Sequence, residues 1–89
     1  MGGFDWDESN IAHIARHDVT PLEVEELFSR KHVEFPAQRV EGEERYKALG
    51  TTARGRYLVV AFTYRRDLLR PITAHPMNRS LKKCYAAQL

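Results

Sequence analysis

The chain is poor in cysteine and has no long apolar run free of charge. Cys84 is the single cysteine among its 89 residues, so no internal disulfide can form and thiols alone cannot build a zinc site. Since Cys84 falls on the apolar side of the last predicted helix, we expect a small buried hydrophobe. No stretch is apolar enough to span a bilayer, and the acidic start MGGFDWDESN is unlike a signal peptide. We therefore expect a cytoplasmic protein without membrane contacts.

Motifs for nucleotide, acyl-transfer and metal chemistry are also missing. The chain has neither a phosphate-binding loop with a Walker lysine nor a G-x-S-x-G nucleophile motif. The stretch HIARH sets His13 and His17 four residues apart on one helical face, as two zinc ligands would be. Two ligands are too few, and no glutamate lies between them to act as a base. We expect no metal site and no cofactor.

Charge is divided unevenly along the chain. Residues 1–28 contain one basic and seven acidic residues, whereas residues 29–89 contain thirteen basic and five acidic ones. The formal net charges are therefore −6 and +8. A basic C-terminal part of this kind is typical of a protein that meets a polyanion such as a nucleic acid. The alternative is that these charges only solvate the surface.

The pattern of apolar and capping residues predicts a single small α+β domain over residues 1–89. Asp7 and Thr20 are predicted N-caps of two helices, the second with Pro21 at its first position, and Asn78 is a predicted N-cap of a final helix. Between them, four strands are predicted at residues 32–35, 43–50, 56–64 and 68–75. A tight turn between the last two predicts an antiparallel hairpin, and Pro71 predicts a bulge or an outward-facing N–H.

The two faces of the central predicted strand differ in character. Leu58, Val60, Phe62 and Tyr64 share the bulkier face, which we expect to meet the helices. Thr63 and Arg65 belong to the opposite face, which we expect to be open. In the partner strand, either Thr73 with His75 or Arg70 with Ile72 lies on that open side, because a bulge makes the phase uncertain.

Arginine is abundant on or beside the predicted strands, at Arg45, Arg54, Arg56, Arg65, Arg66 and Arg70. Its guanidinium forks two donors toward phosphate oxygens, which suits it to binding a phosphodiester and stabilising its transition state. His75 is a candidate proton carrier and Glu44 a candidate base. The alternative is that each arginine only solvates a strand edge, which the sequence favours for Arg54 and Arg66 more than for Arg70.

Three stretches in order resemble the BrnT family of type II toxin–antitoxin ribonuclease toxins. They are FDWDESN…RHDVTPLEVEELF, EERYKALGTTARGRYLVVAFTYR and RPITAHPMNRSLKKCYA, and together they run from Phe4 to Tyr85. The resemblance implies a RelE-like fold, an endoribonuclease that inhibits translation by metal-independent acid–base chemistry, and an RNA substrate. It further implies a cognate BrnA-like antitoxin with a DNA-binding domain, two toxins typically sitting with two antitoxins in a heterotetramer.

The resemblance also assigns candidate residues. The family motif residues that match this chain are His17, Glu44, Arg45, Arg56, Arg65, Arg70 and Tyr85. With His75, these give a predicted catalytic set of Arg70, His75, Arg65, Arg56, Glu44 and Arg45. Predicted RNA-binding residues are Arg54, Arg66, Arg79, Lys82 and Lys83.

One departure from the family pattern bears directly on activity. The last strand usually ends in S-A-R, but this chain has Thr73-Ala74-His75. An arginine only holds phosphate charge, whereas a histidine also transfers a proton. The substitution therefore predicts either a changed division of labour in an active ribonuclease or a catalytically inactive homologue that binds RNA or a protein partner.

Overall fold

The computed structural model describes residues 3–88, in the order ααββββα. The elements are α1 (Glu8–Ala15), α2 (Pro21–Ser29), β1 (Val33–Pro36), β2 (Tyr46–Thr51), β3 (Tyr57–Arg65), β4 (Leu68–Pro76) and α3 (Arg79–Gln88). The predicted α+β architecture and element order are confirmed. Over residues 3–88, no helix has the length and apolar content needed to cross a membrane.

Each of the three helices begins directly after the residue that the sequence predicted as its N-cap. The Asp7 side chain accepts a hydrogen bond from the Asn10 N–H at 3.0 Å, and the Asp7 N–H donates to Asn10 Oδ1 at 2.8 Å. Thr20 and Glu23 form the same reciprocal capping box at the start of α2. Asn78 Oδ1 accepts from the N–H three residues further on at 2.8 Å. These bonds satisfy backbone donors that a helix start otherwise leaves unpaired.

The four strands form one antiparallel sheet in the order β1-β2-β3-β4. Arg66 and Asp67 connect β3 to β4, and both have positive φ angles, 53° and 67°, as a two-residue type I′ hairpin requires. The N-terminal segment closes part of the outer edge of β4, because the Leu69 N–H donates to the Gly3 carbonyl at 3.0 Å and the Asp5 N–H donates to the Leu69 carbonyl at 2.9 Å.

The predicted bulky face of β3 packs against α1 and α2. Leu58, Val60 and Phe62 are fully buried there, in one cluster with apolar residues of both helices such as Ile14 and Leu27. Tyr64 also belongs to this face, but it lies at the strand end and is half exposed. The predicted orientation of β3 is therefore confirmed.

Helix α3 covers only part of the opposite face. Val59, Leu49, Met77 and Tyr85 form a second buried cluster beneath it. Further along β3, Thr63 and Arg65 lie beyond this cluster and border a hollow instead. The predicted open face therefore exists at the Thr63–Arg65 end of the strand.

The expectation for Cys84 is wrong, because its side chain is exposed. The buried residue of α3 is its neighbour Tyr85, which is 4% exposed. A short helix lying on a sheet buries a narrow stripe, and Cys84 falls on the flank of that stripe, bordering a shallow groove with Val33 and Leu49.

Candidate active site

A cavity of about 220 Å³ lies between α1, the segment before β2, and the ends of β3 and β4. It is smaller than the roughly 300–1,000 Å³ pockets that enclose a drug-sized ligand. Its lining is rich in positive charge. The polar and charged residues around it are Ser9, Asn10, His13, Glu43, Arg45, Thr63, Arg65 and Arg70.

A bulge in β4 brings Arg70 to this cavity. Ala61 pairs with Thr73 and the next residue of β3 pairs with Pro71, so Ile72 is an extra residue. Arg70 therefore pairs with Thr63, while Thr73 and His75 remain in phase with the same side of β3. Thr73 and His75 from one of the predicted alternatives and Arg70 from the other therefore lie on the same side of the sheet, because the bulge at Ile72 resets the alternation of side chains.

Arg70 is held by acidic residues of the N-terminal segment. Its Nη2 lies 3.0 Å from Asp7 Oδ2 and its Nη1 lies 3.5 Å from Asp5 Oδ2, and only 13% of the side chain is exposed. The buried Nη1 has no hydrogen-bond partner within residues 3–88. The Asn10 N–H, and with it the Arg70 guanidinium, lowers the pKa of Asp7. Arg70 thus joins the N-terminal segment to the cavity wall.

Asn10 attaches α1 to β4 at the bulge, a role that the sequence did not predict. This buried side chain donates from Nδ2 to the carbonyl oxygens of Asp5 and Pro71, both at 2.9 Å. Pro71 has no N–H, and its carbonyl is satisfied by a side chain here. The position of Asn10 three residues after Asp7 could have indicated the two capping bonds, but not the two bonds to carbonyl oxygens.

Arg45 and Glu43 form the opposite wall. Arg45 Nε donates to Glu43 Oε2 at 3.1 Å, and both side chains are partly buried. Glu43 closes a tight turn with Val40, in which each N–H donates to the other carbonyl at 2.8 and 3.0 Å. The two residues between them have φ angles of 51° and 79°. Sequence analysis missed Glu43, because nothing in the sequence separates it from its neighbour Glu44.

Glu44 points away from the cavity. Its exposed carboxylate accepts hydrogen bonds from Arg39 Nη2 at 2.7 Å and from the Tyr46 hydroxyl at 3.2 Å. The bond from Arg39 is the main cause that lowers the pKa of Glu44, and the bond from Tyr46 adds to it. Only its backbone faces β3, where the Thr63 hydroxyl donates to the Glu44 carbonyl at 2.7 Å.

His75 and His17 lie together outside the cavity. Their rings meet edge to face with centroids 5.9 Å apart. His75 Nδ1 lies 2.9 Å from the Pro76 carbonyl oxygen, and the His75 side chain shares the sheet face of Val59. The predicted proton carrier therefore lies further along β4 than Arg70, and its role stays a prediction.

Arg56 joins the turn before β3 to the junction of α1 and α2. Its Nη1 donates to the Asp18 carbonyl at 2.8 Å and to both Glu23 carboxylate oxygens at 3.0 and 2.9 Å. Burial acts to raise the pKa of Glu23, but the hydrogen bonds from Arg56 and the Thr20 N–H outweigh it and lower that pKa. Neither Arg56 nor its neighbour Arg54 lines the cavity.

The remaining predicted residues are dispersed. Arg66 is exposed in the hairpin turn, and Arg65 is exposed at the cavity. Tyr85, a residue of α3, is buried between that helix and the sheet. The basic residues of α3 lie on its exposed side, where the Lys82 ammonium stands 5.6 Å from the centre of the Tyr57 ring. They are Arg79, Lys82 and Lys83. Across residues 3–88, no three His, Cys, Asp or Glu side chains are grouped as metal ligands.

The fold and the cavity together define the class of protein. It is a small α+β protein with a basic cavity on one side of an antiparallel sheet. The family model described as "Ribonuclease toxin, BrnT, of type II toxin-antitoxin system" matches residues 6–80. The chain therefore belongs to the BrnT family of ribonuclease toxins, as the sequence resemblance indicated. None of the curated proteins compared with it matches the chain. Membership implies an RNA substrate and an antitoxin partner.

Proposed function

We propose that this chain is an endoribonuclease that cleaves RNA by metal-independent acid–base chemistry and so inhibits translation in the cytoplasm. The observation that supports it best is the convergence of three arginines, Arg45, Arg65 and Arg70, on one small cavity in a member of a ribonuclease toxin family.

The cavity suits a phosphodiester because one of its three arginines is left without an acidic partner among residues 3–88. Arg70 is engaged by Asp5 and Asp7, and Arg45 is engaged by Glu43. Arg65 has no ion pair within residues 3–88 and is the cation most available to phosphate. Guanidinium donors fixed around a phosphate stabilise the extra negative charge of its transition state.

Arg65→Ala tests this proposal directly. We expect the substitution to lower the rate of RNA cleavage by about 10²- to 10³-fold, the cost of losing one preorganised donor to a transition-state charge. The measurements are growth arrest on induction and RNA integrity on a denaturing gel. Arg16→Ala removes a cation from an exposed position outside the cavity and should leave cleavage unchanged.

A binding module would give a different result in the same assay. If the unsubstituted chain shifts RNA in a native gel without shortening it, the chain is a catalytically inactive homologue and the ribonuclease proposal fails. The change from the family arginine to His75 is the sequence feature that makes this comparison necessary.

We further propose that the antitoxin is a BrnA-like protein with a DNA-binding domain, and that two toxins and two antitoxins form a heterotetramer. The support is membership in a type II toxin–antitoxin family. Co-expression with a candidate antitoxin encoded beside this gene, followed by light scattering of the purified complex, gives the stoichiometry. A complex with unequal numbers of the two chains would contradict the heterotetramer.

A further inference from the structure

We infer that Glu43 and His13 are the proton-transfer pair of this ribonuclease, with Glu43 as the general base and His13 as the general acid. The inference rests on the proposed function. It differs from the assignment of Glu44 and His75 made from the sequence, because Glu43 and His13 line the arginine-rich cavity whereas the other two side chains do not.

Glu43 is fixed in position and still has a free oxygen. The reciprocal backbone bonds with Val40 hold its main chain, and the Thr63 hydroxyl anchors the next residue. Arg45 occupies its Oε2, while Oε1 accepts no hydrogen bond from residues 3–88. The side chain is 40% exposed, so substrate can reach that oxygen. A carboxylate fixed in this way, with one oxygen open to substrate, is placed to accept a proton.

His13 faces the same cavity from α1. It lies one helical turn after Asn10, whose bond to the Pro71 carbonyl sets the helix against β4. The ring is exposed, and neither nitrogen is hydrogen-bonded to residues 3–88. Histidine gains and loses a proton near neutral pH, which a general acid requires. The proposed base and the proposed acid therefore come from two different segments, the turn before β2 and helix α1, which both line the arginine-rich cavity.

The geometry supports an internal transfer at the phosphodiester. Glu43 accepts the proton of the ribose 2′-hydroxyl as its oxygen attacks phosphorus, and the bond from phosphorus to the 5′-oxygen breaks. Protonated His13 gives its proton to that leaving oxygen. The products are a 2′,3′-cyclic phosphate and a 5′-hydroxyl. Solvent then takes the proton from Glu43 and returns one to His13, while Arg45 and Arg65 hold the phosphate charge throughout.

The alternative pair is less well placed for these steps. Both oxygens of the Glu44 carboxylate are occupied, one by Arg39 and the other by the Tyr46 hydroxyl. His75 Nδ1 lies against the Pro76 carbonyl, and the ring packs on His17. The two assignments therefore predict different inactive variants. One predicts that substitutions of Glu43 and His13 abolish cleavage, and the other predicts this for Glu44 and His75.

The first experiment compares variants in an RNA cleavage assay. We expect Glu43→Gln and His13→Ala to lower the cleavage rate by about 10²- to 10⁴-fold, the usual contribution of a positioned acid or base. Glu41→Gln, in the same turn, and Arg16→Ala, at the C-terminal cap of the same helix, are matched controls that should retain activity. Circular dichroism and thermal unfolding confirm that each variant is folded.

The second experiment separates an acid from a structural residue. The cleavage site is mapped with the unsubstituted chain, and an oligoribonucleotide is made with sulfur replacing the 5′-oxygen at that bond. A thiolate leaves without a proton donor, so His13→Ala should regain most of its rate on this substrate. Glu43→Gln should stay slow, since the 2′-hydroxyl still needs a base. If His13 only supported the fold, both substrates would remain equally slow.

The outcomes distinguish the two levels of the proposal. Absence of cleavage by the unsubstituted chain defeats the proposed function itself. Cleavage that survives Glu43→Gln and His13→Ala but is lost in Glu44→Gln and His75→Ala overturns the pair and leaves the ribonuclease in place. Loss of cleavage in His13→Ala without recovery on the sulfur substrate overturns the role of His13 as the acid.

Discussion

Arg70 connects two parts of the molecule through a single side chain. Its position inside β4 was visible in the sequence, and so was its suitability for phosphate. Its partners Asp5 and Asp7 were not, because they depend on the path that the N-terminal segment takes along β4. We therefore expect substitution of Arg70 to affect the stability of the fold as well as the proposed activity.

Replacing Arg70 should therefore lower stability more than replacing Arg65. Arg70→Met keeps most of the apolar stem but leaves Asp5 and Asp7 without their cation, whereas Arg65→Met breaks no ion pair within residues 3–88. We expect the Tm of Arg70→Met to lie about 5 °C or more below the Tm of Arg65→Met. Thermal unfolding followed by circular dichroism measures the difference, and equal Tm values would show that the ion pairs contribute nothing.

The neighbouring carboxylates Glu43 and Glu44 show a limit of sequence reasoning at this scale. The sequence analysis named only Glu44 as a candidate base, although a phase shift of one residue decides which of the two side chains faces the cavity. That phase is set by the tight turn at Val40–Glu43 and by the Thr63 hydroxyl bond. The Thr63 bond joins residues 19 positions apart, and no local pattern in the sequence indicates it.

At the scale of elements, α2 approaches β2 closely at Gly50. A Cβ at this position would lie 2.8 Å from Cγ of Leu27 and 3.1 Å from Cβ of His32. Real side chains do not tolerate the first distance, so the contact exists because residue 50 has no side chain.

Gly50→Ala should push α2 away from the sheet and destabilise the fold by about 1–3 kcal/mol, the usual cost of overpacking a core. Chemical denaturation measures this loss. The matched test is the same substitution in a Leu27→Ala background, where the shorter side chain makes room and the cost of Gly50→Ala should shrink. An unchanged cost in both backgrounds would mean that the Leu27 contact is not the cause.

Elements were predicted better than their contacts. The caps at Asp7, Thr20 and Asn78 and the β3–β4 hairpin follow from local chemistry, and the sequence located them. The insertion of Ile72 was foreseen only as a bulge near Pro71, because the register of β4 depends on both β3 and α1. Cys84 was misplaced because helical spacing does not reveal how wide a stripe a sheet will cover.

At the scale of the whole molecule, the charge division of the chain is partly cancelled by folding. Asp5 and Asp7 contact Arg70, and Glu23 contacts Arg56, so acidic residues of the first 28 positions neutralise basic residues of the remainder. The net charges of −6 and +8 therefore describe the two sequence segments rather than two electrically separate bodies.

The Glu23–Arg56 contact makes stability depend on pH. The pKa of Glu23 is lower in the folded chain than its ordinary value, so the contact stabilises the fold above that ordinary pKa and is lost as the pH falls through the folded one. Arg56→Met should lower the free energy of unfolding at neutral pH, with the difference from the unsubstituted chain disappearing in acid.

Urea unfolding at several pH values between neutrality and strong acid provides the measurement. Arg54→Met is the matched control, since Arg54 is an exposed arginine two positions away that makes no ion pair within residues 3–88. A difference between Arg56→Met and the unsubstituted chain that stays constant with pH would contradict the electrostatic origin.

The N-terminal segment at the edge of β4 also affects how the sheet meets other chains. At Leu69 both backbone groups are already paired, with Gly3 and Asp5. A strand from another molecule finds no free donor or acceptor there, so sheet-to-sheet polymerisation through β4 is blocked at that point. The segment that holds Arg70 in place thus also protects the domain from edge-to-edge aggregation.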